Sequence, residues 1–344
     1  MKKIGLLFNS SHQIGGGHFW RCFNLAKILN NKNREFFFIS NKLEKNFVTL
    51  LQRKKFNYIE VNSVNKISDI KSIIIKKKID VVITDYYKFD AIKKKKIKKF
   101  VNTLIVIDDY LHKKHNCDVY INNNFMTNIA KNKIKKLNPN SKLLLGIKYF
   151  IHNQDFLTQR EVNKDKKNIK NIFAFFGSSD PTNETFKFIK SINHFQNINF
   201  QILVGRINKN YKKIKNYCKD KKNIKIFYNL SNHKTLKIMQ NNELSFGSGG
   251  INLTERLFAG TVSVAICTAK NQRDALITLS KKKIIHYLGD NRDVNIPLIK
   301  KCIENFLNNK RLFQSLLKKT YKHYNTKYNS ELLRKRLNLI INKE

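Results

Sequence analysis

The feature that most constrains the fold of this chain is the alternation of short apolar runs with longer, Lys-rich amphipathic segments. Brief runs of this kind are typical of strands buried on both faces of a sheet. Because helix-length segments separate most of the runs, the pattern predicts parallel sheets covered by helices. Nine runs are predicted as strands: residues 4–8, 34–40, 81–84, 103–108, 172–177, 199–205, 224–229, 243–250 and 262–267.

A charged stretch at 160–171 separates the first four runs from the last five, and 344 residues suffice for two domains of ordinary size. We therefore predict an α/β fold of two Rossmann-like doubly wound domains, with ligands bound in the interdomain cleft. The predicted boundaries are 1–158 for the first domain and 165–315 for the second. Residues 316–344 are predicted to form closing helices.

The charge of the chain is strongly basic, since 68 Lys and Arg against 24 Asp and Glu leave a net +44. That charge alone predicts a polyanionic partner. The basic residues, however, are nearly all Lys and are spread along the whole chain, without a module of interleaved Arg and aromatic residues. We interpret the charge as compositional bias and the run KKKKIKK (93–99) as an exposed helix face, and we expect no nucleic-acid partner.

The spacing of the cysteines and the length of the apolar runs indicate the cellular compartment. The five cysteines form no CxxC pair, which is typical of reduced thiols rather than a disulfide framework. The apolar run near the N-terminus is too brief for a signal peptide, and no later stretch approaches the ~20 apolar residues of a membrane span. We expect a soluble, cytoplasmic protein that is a monomer or a weak oligomer.

The segment QIGGGHFWRC (13–22) follows the first predicted strand, and apolar spacing predicts a helix that begins near Gly17 or His18. Glycines before a helix allow backbone N–H groups to approach an anion, and the helix dipole favours negative charge there. Gly15, Gly16 and Gly17 are therefore candidate ligand contacts. The same dipole disfavours the imidazolium form of His18, which leaves a neutral ring able to accept a proton.

Three later loops also follow predicted strands. FGSSDPTNET (176–185) and FGSGGINLTER (246–256) both read as strand, glycine turn and helix, and Glu255 lies about one and a half turns into the second helix. A carboxylate at that depth suits the two hydroxyls of a ribose. In CTAKNQRD (267–274), Asn271 and Gln272 are suited to sugar hydroxyls or amides.

Two further segments carry polar residues at strand ends. TDYY (84–87) ends a strand, so Asp85, Tyr86 or Tyr87 is expected to face the cleft. DDYLHKKHNCD (108–118) contains acids, histidines and a cysteine but lacks clean metal-ligand spacing. We expect no metal and no cofactor.

Taken in order, these segments resemble the PseG family, the UDP-sugar hydrolases of pseudaminic acid biosynthesis. QIGGGHFWRCFNLA, DDYLHKKHNCDVYINNN, LLLGIKYFIHNQDF, FFGSSDPTNET, GSGGINLTER and AKNQRD are each similar to a family motif. The resemblance implies a glycosyltransferase-B-like (GT-B-like) fold related to MurG. The implied reaction is metal-independent hydrolysis of UDP-2,4-diacetamido-2,4,6-trideoxy-β-L-altropyranose, with inversion, to the free sugar and UDP.

The resemblance also implies roles for individual residues. The catalytic histidine of the family falls on His18. Positions implied in substrate binding are Gly15, Gly16, Gly17, Arg21, Tyr87, Gly177, Ser178, Ser248, Gly249, Gly250, Glu255, Asn271 and Gln272. The chain departs from the family pattern in its three consecutive glycines and in Ser178 within the GGSD motif. It departs again in the turn Gly247-Ser248-Gly249-Gly250, where the family has a small residue, Gly and Ser, and in Lys113 or Lys114, where the family has Arg. These departures leave a substrate with other substituents open.

Three alternatives stand beside this interpretation. One is a MurG-like glycosyltransferase, in which a second sugar or a lipid replaces water. Another is a hydrolysing epimerase acting on a related UDP-2-acetamido sugar. The third, from a different class, is a polyanion-binding protein, which the charge of +44 favours but which explains none of the strand–glycine–helix loops.

Overall fold

The computed structural model describes residues 1–10, 16–151, 153, 166–324 and 330–342. The chain divides into two compact units. Unit 1 comprises Met1–His152 together with Tyr328–Glu344, and unit 2 comprises Asn153–Lys327. Each unit is built on its own parallel sheet, so the two are described separately.

Unit 1 contains a seven-stranded parallel sheet in the order β3-β2-β1-β4-β5-β6-β7. Its strands are β1 Lys2–Phe8, β2 Arg34–Ser40, β3 Asn57–Glu60, β4 Val81–Asp85, β5 Thr103–Ile107, β6 Val119–Asn122 and β7 Lys142–Leu145. The helices are α1 Gly17–Leu29, α2 Lys45–Arg53, α3 Ile67–Lys77, α4 Ala91–Lys98, α5 Asn128–Leu137 and, near the C-terminus, α13 Glu331–Ile341. A 3-10 turn at Ile147–Tyr149 follows β7.

Unit 2 contains a six-stranded parallel sheet in the order β10-β9-β8-β11-β12-β13. Its strands are β8 Asn171–Phe175, β9 Asn199–Val204, β10 Ile224–Tyr228, β11 Leu244–Ser248, β12 Val262–Cys267 and β13 His286–Asp290. The helices are α6 Glu184–Ser191, α7 Tyr211–Tyr217, α8 Asn232–Gln240, α9 Ile251–Phe258, α10 Arg273–Lys281, α11 Ile296–Asn308 and α12 Lys310–His323. A 3-10 turn at Lys270–Gln272 precedes α10.

All nine predicted strands are present, and α1 begins at Gly17 as expected. The prediction of two Rossmann-like doubly wound α/β domains is confirmed. The strands that the sequence pattern missed are β3, β6, β7 and β13. NYIE, KLLL and HYLGD carry charged or partly exposed positions, so β3, β7 and β13 do not form the apolar run on which the prediction relied. This reason does not apply to β6, VYIN, which is fully buried.

Apolar side chains cover both faces of each sheet. In unit 1, Ile4, Leu6 and Phe8 of β1 pack with α1, α2 and α13, whereas Leu7 packs on the opposite face with α3, α4 and α5. This alternation is the period-2 geometry of a strand buried on two sides. The five cysteines all lie in the described part of the chain and are free and buried.

The observed division differs from the predicted boundaries at the C-terminus. Residues 316–327 belong to unit 2, and the following segment with α13 belongs to unit 1. The guanidinium of Arg34 donates to Asn338 Oδ1 and to Asn342 Oδ1, both at 2.7 Å, and Leu333, Leu337 and Ile341 enter the core of unit 1. The sequence pattern does not predict the contact between Arg34 and α13, because the partners are about 300 residues apart.

The run KKKKIKK lies in α4 and just beyond it, and Lys95, Lys96, Lys98 and Lys99 are exposed as expected. Lys94 departs from that expectation, since only 2% of it is exposed. Lys94 lies on the inner face of α4, so its ammonium group is buried in unit 1. Within the described residues, no helix is long and apolar enough to cross a membrane.

Removing the Leu337 side chain tests the docking of α13. Because Leu337 is 0% exposed and lies in the core, Leu337→Ala should lower the free energy of unfolding of unit 1 by about 2–4 kcal/mol. Hydrogen exchange of unit 1 amides in urea measures this change. The matched control is Leu339→Ala on the same helix, whose side chain is 55% exposed and should change stability by less than about 0.5 kcal/mol. Equal effects of the two variants would contradict the packing described here.

Candidate active site

The topological switch points of the two sheets lie between β1 and β4 in unit 1 and between β8 and β11 in unit 2. In open parallel sheets, ligands bind beyond the carboxyl ends of the strands at these points. His18 follows β1, and Asp85 ends β4. In unit 2 the glycine turns at 177 and 247–250 follow β8 and β11. His18 and the two glycine turns therefore follow the strands at the switch point of their own unit.

His18 is the second residue of α1, and its Nδ1 lies 2.8 Å from Asp85 Oδ1. An ionised carboxylate only accepts hydrogen bonds, so Nδ1 carries a proton, and in the neutral ring Nε2 is then the acceptor. The side chain of His18 is 13% exposed, whereas that of Asp85 is fully buried. A histidine held in this tautomer by a buried carboxylate is the arrangement of a general base.

Arg21, one turn further along α1, lies between two carboxylates. Its Nε donates to Asp85 Oδ2 at 2.6 Å and its Nη2 to Asp85 Oδ1 at 2.5 Å. Nη1 donates to both oxygens of Asp109 at 2.9 Å. Such two-point pairing with a guanidinium restricts the orientation of each carboxylate. Arg21 thus joins α1, the end of β4 and the loop after β5.

Tyr87 completes the network. Its hydroxyl accepts from Arg21 Nη2 at 2.9 Å and donates to Asp109, and its ring lies 4.7 Å from that of His18 in an edge-to-face arrangement. Burial raises the pKa of Tyr87 well above its usual value, an effect that Arg21 opposes and the neighbouring carboxylates reinforce. The hydroxyl therefore keeps its proton. Asn124 also donates to Asp109 Oδ1, at 2.9 Å.

Asp85 remains ionised despite complete burial. Desolvation raises the pKa of its carboxyl, but the charges and hydrogen bonds of Arg21 and His18 outweigh that effect and hold the pKa at about 2. Asp85 is therefore a permanent acceptor for His18 Nδ1. The carboxylate fixes which ring nitrogen of His18 is available for chemistry.

A second polar group is buried under the loop that carries Asp109. Lys94 Nζ lies 2.8 Å from His115 Nδ1, and His115 Nε2 lies 3.6 Å from Asp108 Oδ2. Burial and the nearby cations Lys94 and Lys113 lower the pKa of His115 to about 3, so the ring is neutral. This group links α4 to the loop after β5, next to the residues that hold Arg21 and Tyr87.

In unit 2 the turn Gly247–Gly250 ends β11 and leads into α9. Gly250 has a φ of 76°, which favours glycine, and α9 has no side-chain cap. Gly249 N donates to Gln272 Oε1 at 3.2 Å, and a Cβ on Gly249 would lie 3.0 Å from Gln272 Cβ. The structure therefore brings two predicted residues, Gly249 and Gln272, into contact. The uncapped first turn of α9 leaves its N–H groups for a ligand or solvent.

Glu255 lies on α9 with part of its side chain in contact with solvent. The protein packed around it nonetheless raises the pKa of the carboxyl to about 8 through desolvation. Asn271 and Gln272 lie in the 3-10 turn after β12, and Ser248 is the last residue of β11. In the loop after β8, Gly177 has a φ of 104°, and Ser178 O accepts from Ile207 N at 3.2 Å.

The opening glycine turn is described only in part. Gly15 lies outside the described residues, as do Ser11–Ile14. Gly16 is buried and immediately precedes α1, and Gly17 is exposed. A Cβ on Gly17 would have no atom within 4 Å, so the surrounding protein does not itself require a glycine there.

Sequence reasoning missed Asp109 and Asn124, and it named Asp85 only among residues facing the cleft. Asp109 and Asn124 follow β5 and β6, so position after a strand was the available signal. Tyr86 lies apart from the network, 8% exposed, with its hydroxyl accepting from Asn65. Among the residues described, no three His, Cys, Asp or Glu side chains are grouped to hold a metal ion.

Solved structures with this architecture define the class of fold. MurG of Acinetobacter baumannii aligns over 100% of both chains with a TM-score of 0.64 at 12% identity. Staphylococcus aureus MnaA, solved with UDP, aligns over 99% of this chain and 97% of its own with a TM-score of 0.67 at 11% identity. UGT71G1 of Medicago truncatula, solved with UDP-glucose, has a TM-score of 0.68 at 10% identity over 99% and 98% of the chains. The fold is that of GT-B proteins, as the motif resemblance implied.

Two curated relatives share sequence with the chain. It is 26% identical over 282 residues to the UDP-2,4-diacetamido-2,4,6-trideoxy-β-L-altropyranose hydrolase of Campylobacter jejuni, covering 81% of this chain and 97% of the hydrolase. It is 28% identical over 294 residues to the uncharacterized protein MJ1062 of Methanocaldococcus jannaschii, covering 81% of this chain but only 58% of that protein. No protein-family model matches. The similarity to the hydrolase confirms the resemblance found in the motifs.

The buried His115 should make unit 1 acid-sensitive. With a pKa of about 3 in the folded chain and about 6.5 when unfolded, His115 binds a proton only in the unfolded chain between these values. Stability therefore falls as pH decreases from about 6.5 to about 3, by at most ~1.4 kcal/mol per pH unit. His115→Gln should flatten this dependence, as measured by urea unfolding at a series of pH values. His112→Gln is the control, because its ring is exposed, and identical slopes for all three proteins would refute the assignment.

Proposed function

We propose that the chain is a UDP-sugar hydrolase that releases UDP from UDP-2,4-diacetamido-2,4,6-trideoxy-β-L-altropyranose, with inversion at the anomeric carbon, as in pseudaminic acid biosynthesis. The observation that carries the proposal is the bond from His18 Nδ1 to buried Asp85, which leaves Nε2 as a base. Support also comes from the sequence similarity to the C. jejuni hydrolase over 81% of the chain. The GT-B fold is compatible with this activity but does not distinguish it from transfer or epimerisation.

In the proposed reaction, His18 Nε2 accepts a proton from a water molecule while the water oxygen bonds to the anomeric carbon. The bond from that carbon to the phosphate oxygen breaks, and its electron pair leaves with UDP. Asp85, as an ionised acceptor, stabilises the imidazolium that forms, and the proton then passes to solvent. Arg21 keeps Asp85 in position through two hydrogen bonds.

UDP is a weakly basic leaving group, so its departure needs charge stabilisation more than a proton donor. We assign this role to the glycine turn 247–250 and the uncapped start of α9. Glu255 is assigned to the ribose hydroxyls, and Asn271 and Gln272 to the sugar or phosphates. Within unit 1, Tyr87 lies beside the His18 ring and is assigned to the sugar. No step is assigned to a metal or cofactor.

A glycosyltransferase and a hydrolysing epimerase are the alternative activities. Incubation with the UDP-sugar alone, in the presence of EDTA, distinguishes them. A hydrolase releases UDP and the free sugar at equal rates without an acceptor, and NMR of the first product identifies the configuration at C1 and C2. UDP release that requires an added acceptor would refute hydrolysis, and a changed configuration at C2 would indicate epimerisation. Release that EDTA abolishes would refute the metal-independent reaction.

Replacing the proposed base should separate chemistry from binding. His18→Gln should reduce kcat by about 10²- to 10⁴-fold, because Gln cannot accept the proton from water. The Kd for UDP, measured by calorimetry, should change by less than about threefold, since UDP is assigned to unit 2. His194→Gln, an exposed histidine of unit 2, should retain full activity as the matched control. Wild-type kcat in His18→Gln would place the base elsewhere.

Replacing Glu255 tests the ribose assignment. Glu255→Gln should weaken UDP and uridine by the same factor, about tenfold, because both ligands carry the ribose hydroxyls that the carboxyl group of Glu255 would bind. Competition binding measures both affinities. A variant whose affinity for uridine is unchanged would remove Glu255 from the ribose site.

A further inference from the structure

Arg256 is a fully buried cation in unit 2, with 0% of its surface exposed. Its guanidinium donates to neutral oxygens: to Ser248 O at 3.0 Å, Asn252 Oδ1 at 3.1 Å, Val264 O at 3.1 Å and Ser245 O at 3.3 Å. The hydrogen-bonding demand of the side chain is therefore met by the protein. Its positive charge, in contrast, is not neutralised by these oxygens.

No carboxylate of the described residues forms an ion pair with Arg256. Burial lowers the pKa of its guanidinium to about 9, and no acidic side chain in the part of the chain that the structure describes offsets this effect. Arg21 in unit 1 is the contrast, because that buried guanidinium pairs with both Asp85 and Asp109. A buried cation without a counter-ion is costly, and an anion bound nearby reduces that cost.

The guanidinium lies directly under the glycine turn 247–250. Arg256 Nη2 bonds Ser248 O, and a Cβ on Gly247 would lie 3.0 Å from Arg256 Cζ and 2.2 Å from Phe175 O. Phe175 O by itself excludes a side chain at Gly247, and the guanidinium packs against the other atoms of the same turn. The start of α9 adds the positive end of a helix dipole at the same turn.

We propose that Arg256 supplies the permanent positive charge that attracts the pyrophosphate of a nucleoside diphosphate to the turn 247–250. It acts through the turn without touching the ligand, so it is a positioning residue and not a catalytic one. The bound anion in turn provides a counter-charge that none of the described residues supplies. This inference rests on the proposed UDP site, and it deepens that proposal by assigning affinity for the phosphates to a residue beneath the site.

The test compares ligands that share a base and ribose but differ in charge. Uridine, UMP and UDP are titrated against the wild-type protein, Arg256→Lys, Arg256→Gln and Arg256→Met, each checked for folding by thermal unfolding. In the two neutral variants, affinity for UDP should fall about tenfold or more, affinity for UMP should fall less, and affinity for uridine should stay within about twofold. Arg256→Lys should keep the ratio of UDP to uridine affinity within about threefold of wild type.

Glu255→Gln is the matched control, because a ribose contact weakens all three ligands by one factor. A neutral Arg256 variant that likewise weakens all three equally would overturn the inference, since a purely structural role predicts that result. If neither neutral variant folds, Arg256→Lys becomes the only test. A tenfold fall in its ratio of UDP affinity to uridine affinity, relative to the wild-type protein, would then overturn the inference. A wild-type protein that binds none of the ligands refutes the proposed function itself, which separates the two failures.

Discussion

Parallel strand pairing is the constraint on which both units depend. Because every strand in a sheet runs the same way, the loops that follow the strands emerge at one edge, and a change in strand order leaves room there for side chains. The pairing of β1 with β4 brings His18 to Asp85 across 67 positions of sequence. The pairing of β8 with β11 sets two glycine turns side by side in the second unit.

Charge balance differs between the two units in a way that suits the proposed chemistry. In unit 1, Arg21 is enclosed by Asp85 and Asp109, so the network is saturated and orients the ring of His18. In unit 2, the partners of buried Arg256 among the described residues are neutral oxygens. The first arrangement holds a base in one tautomer, whereas the second leaves positive charge for an anionic ligand to neutralise.

Burial decides the protonation of several groups that the sequence presents as ordinary surface chemistry. Lys94 belongs to a run of lysines but lies against His115 in the interior, where burial lowers the pKa of Lys94 to about 8. Asp85 is equally buried yet stays ionised, because Arg21 and His18 outweigh desolvation. The outcome depends on how far the neighbouring opposite charges offset the desolvation of the buried group.

The sequence by itself determined the two parallel sheets, the start of α1 at Gly17 and the positions of the glycine turns, because apolar runs, helical spacing and glycine are local signals. It also indicated His18 and Gln272, through position after a strand and through the motifs of a known family. Short strands such as β3 and β7 were not predicted, because four residues with exposed positions do not form a recognisable apolar run. Only the tertiary structure decided that Asp109 joins Arg21, that α13 returns to unit 1 and that no described carboxylate pairs with Arg256. The first two are contacts between residues far apart in sequence, and the third depends on which residues surround the guanidinium in the folded unit. No local sequence pattern predicts either kind of feature.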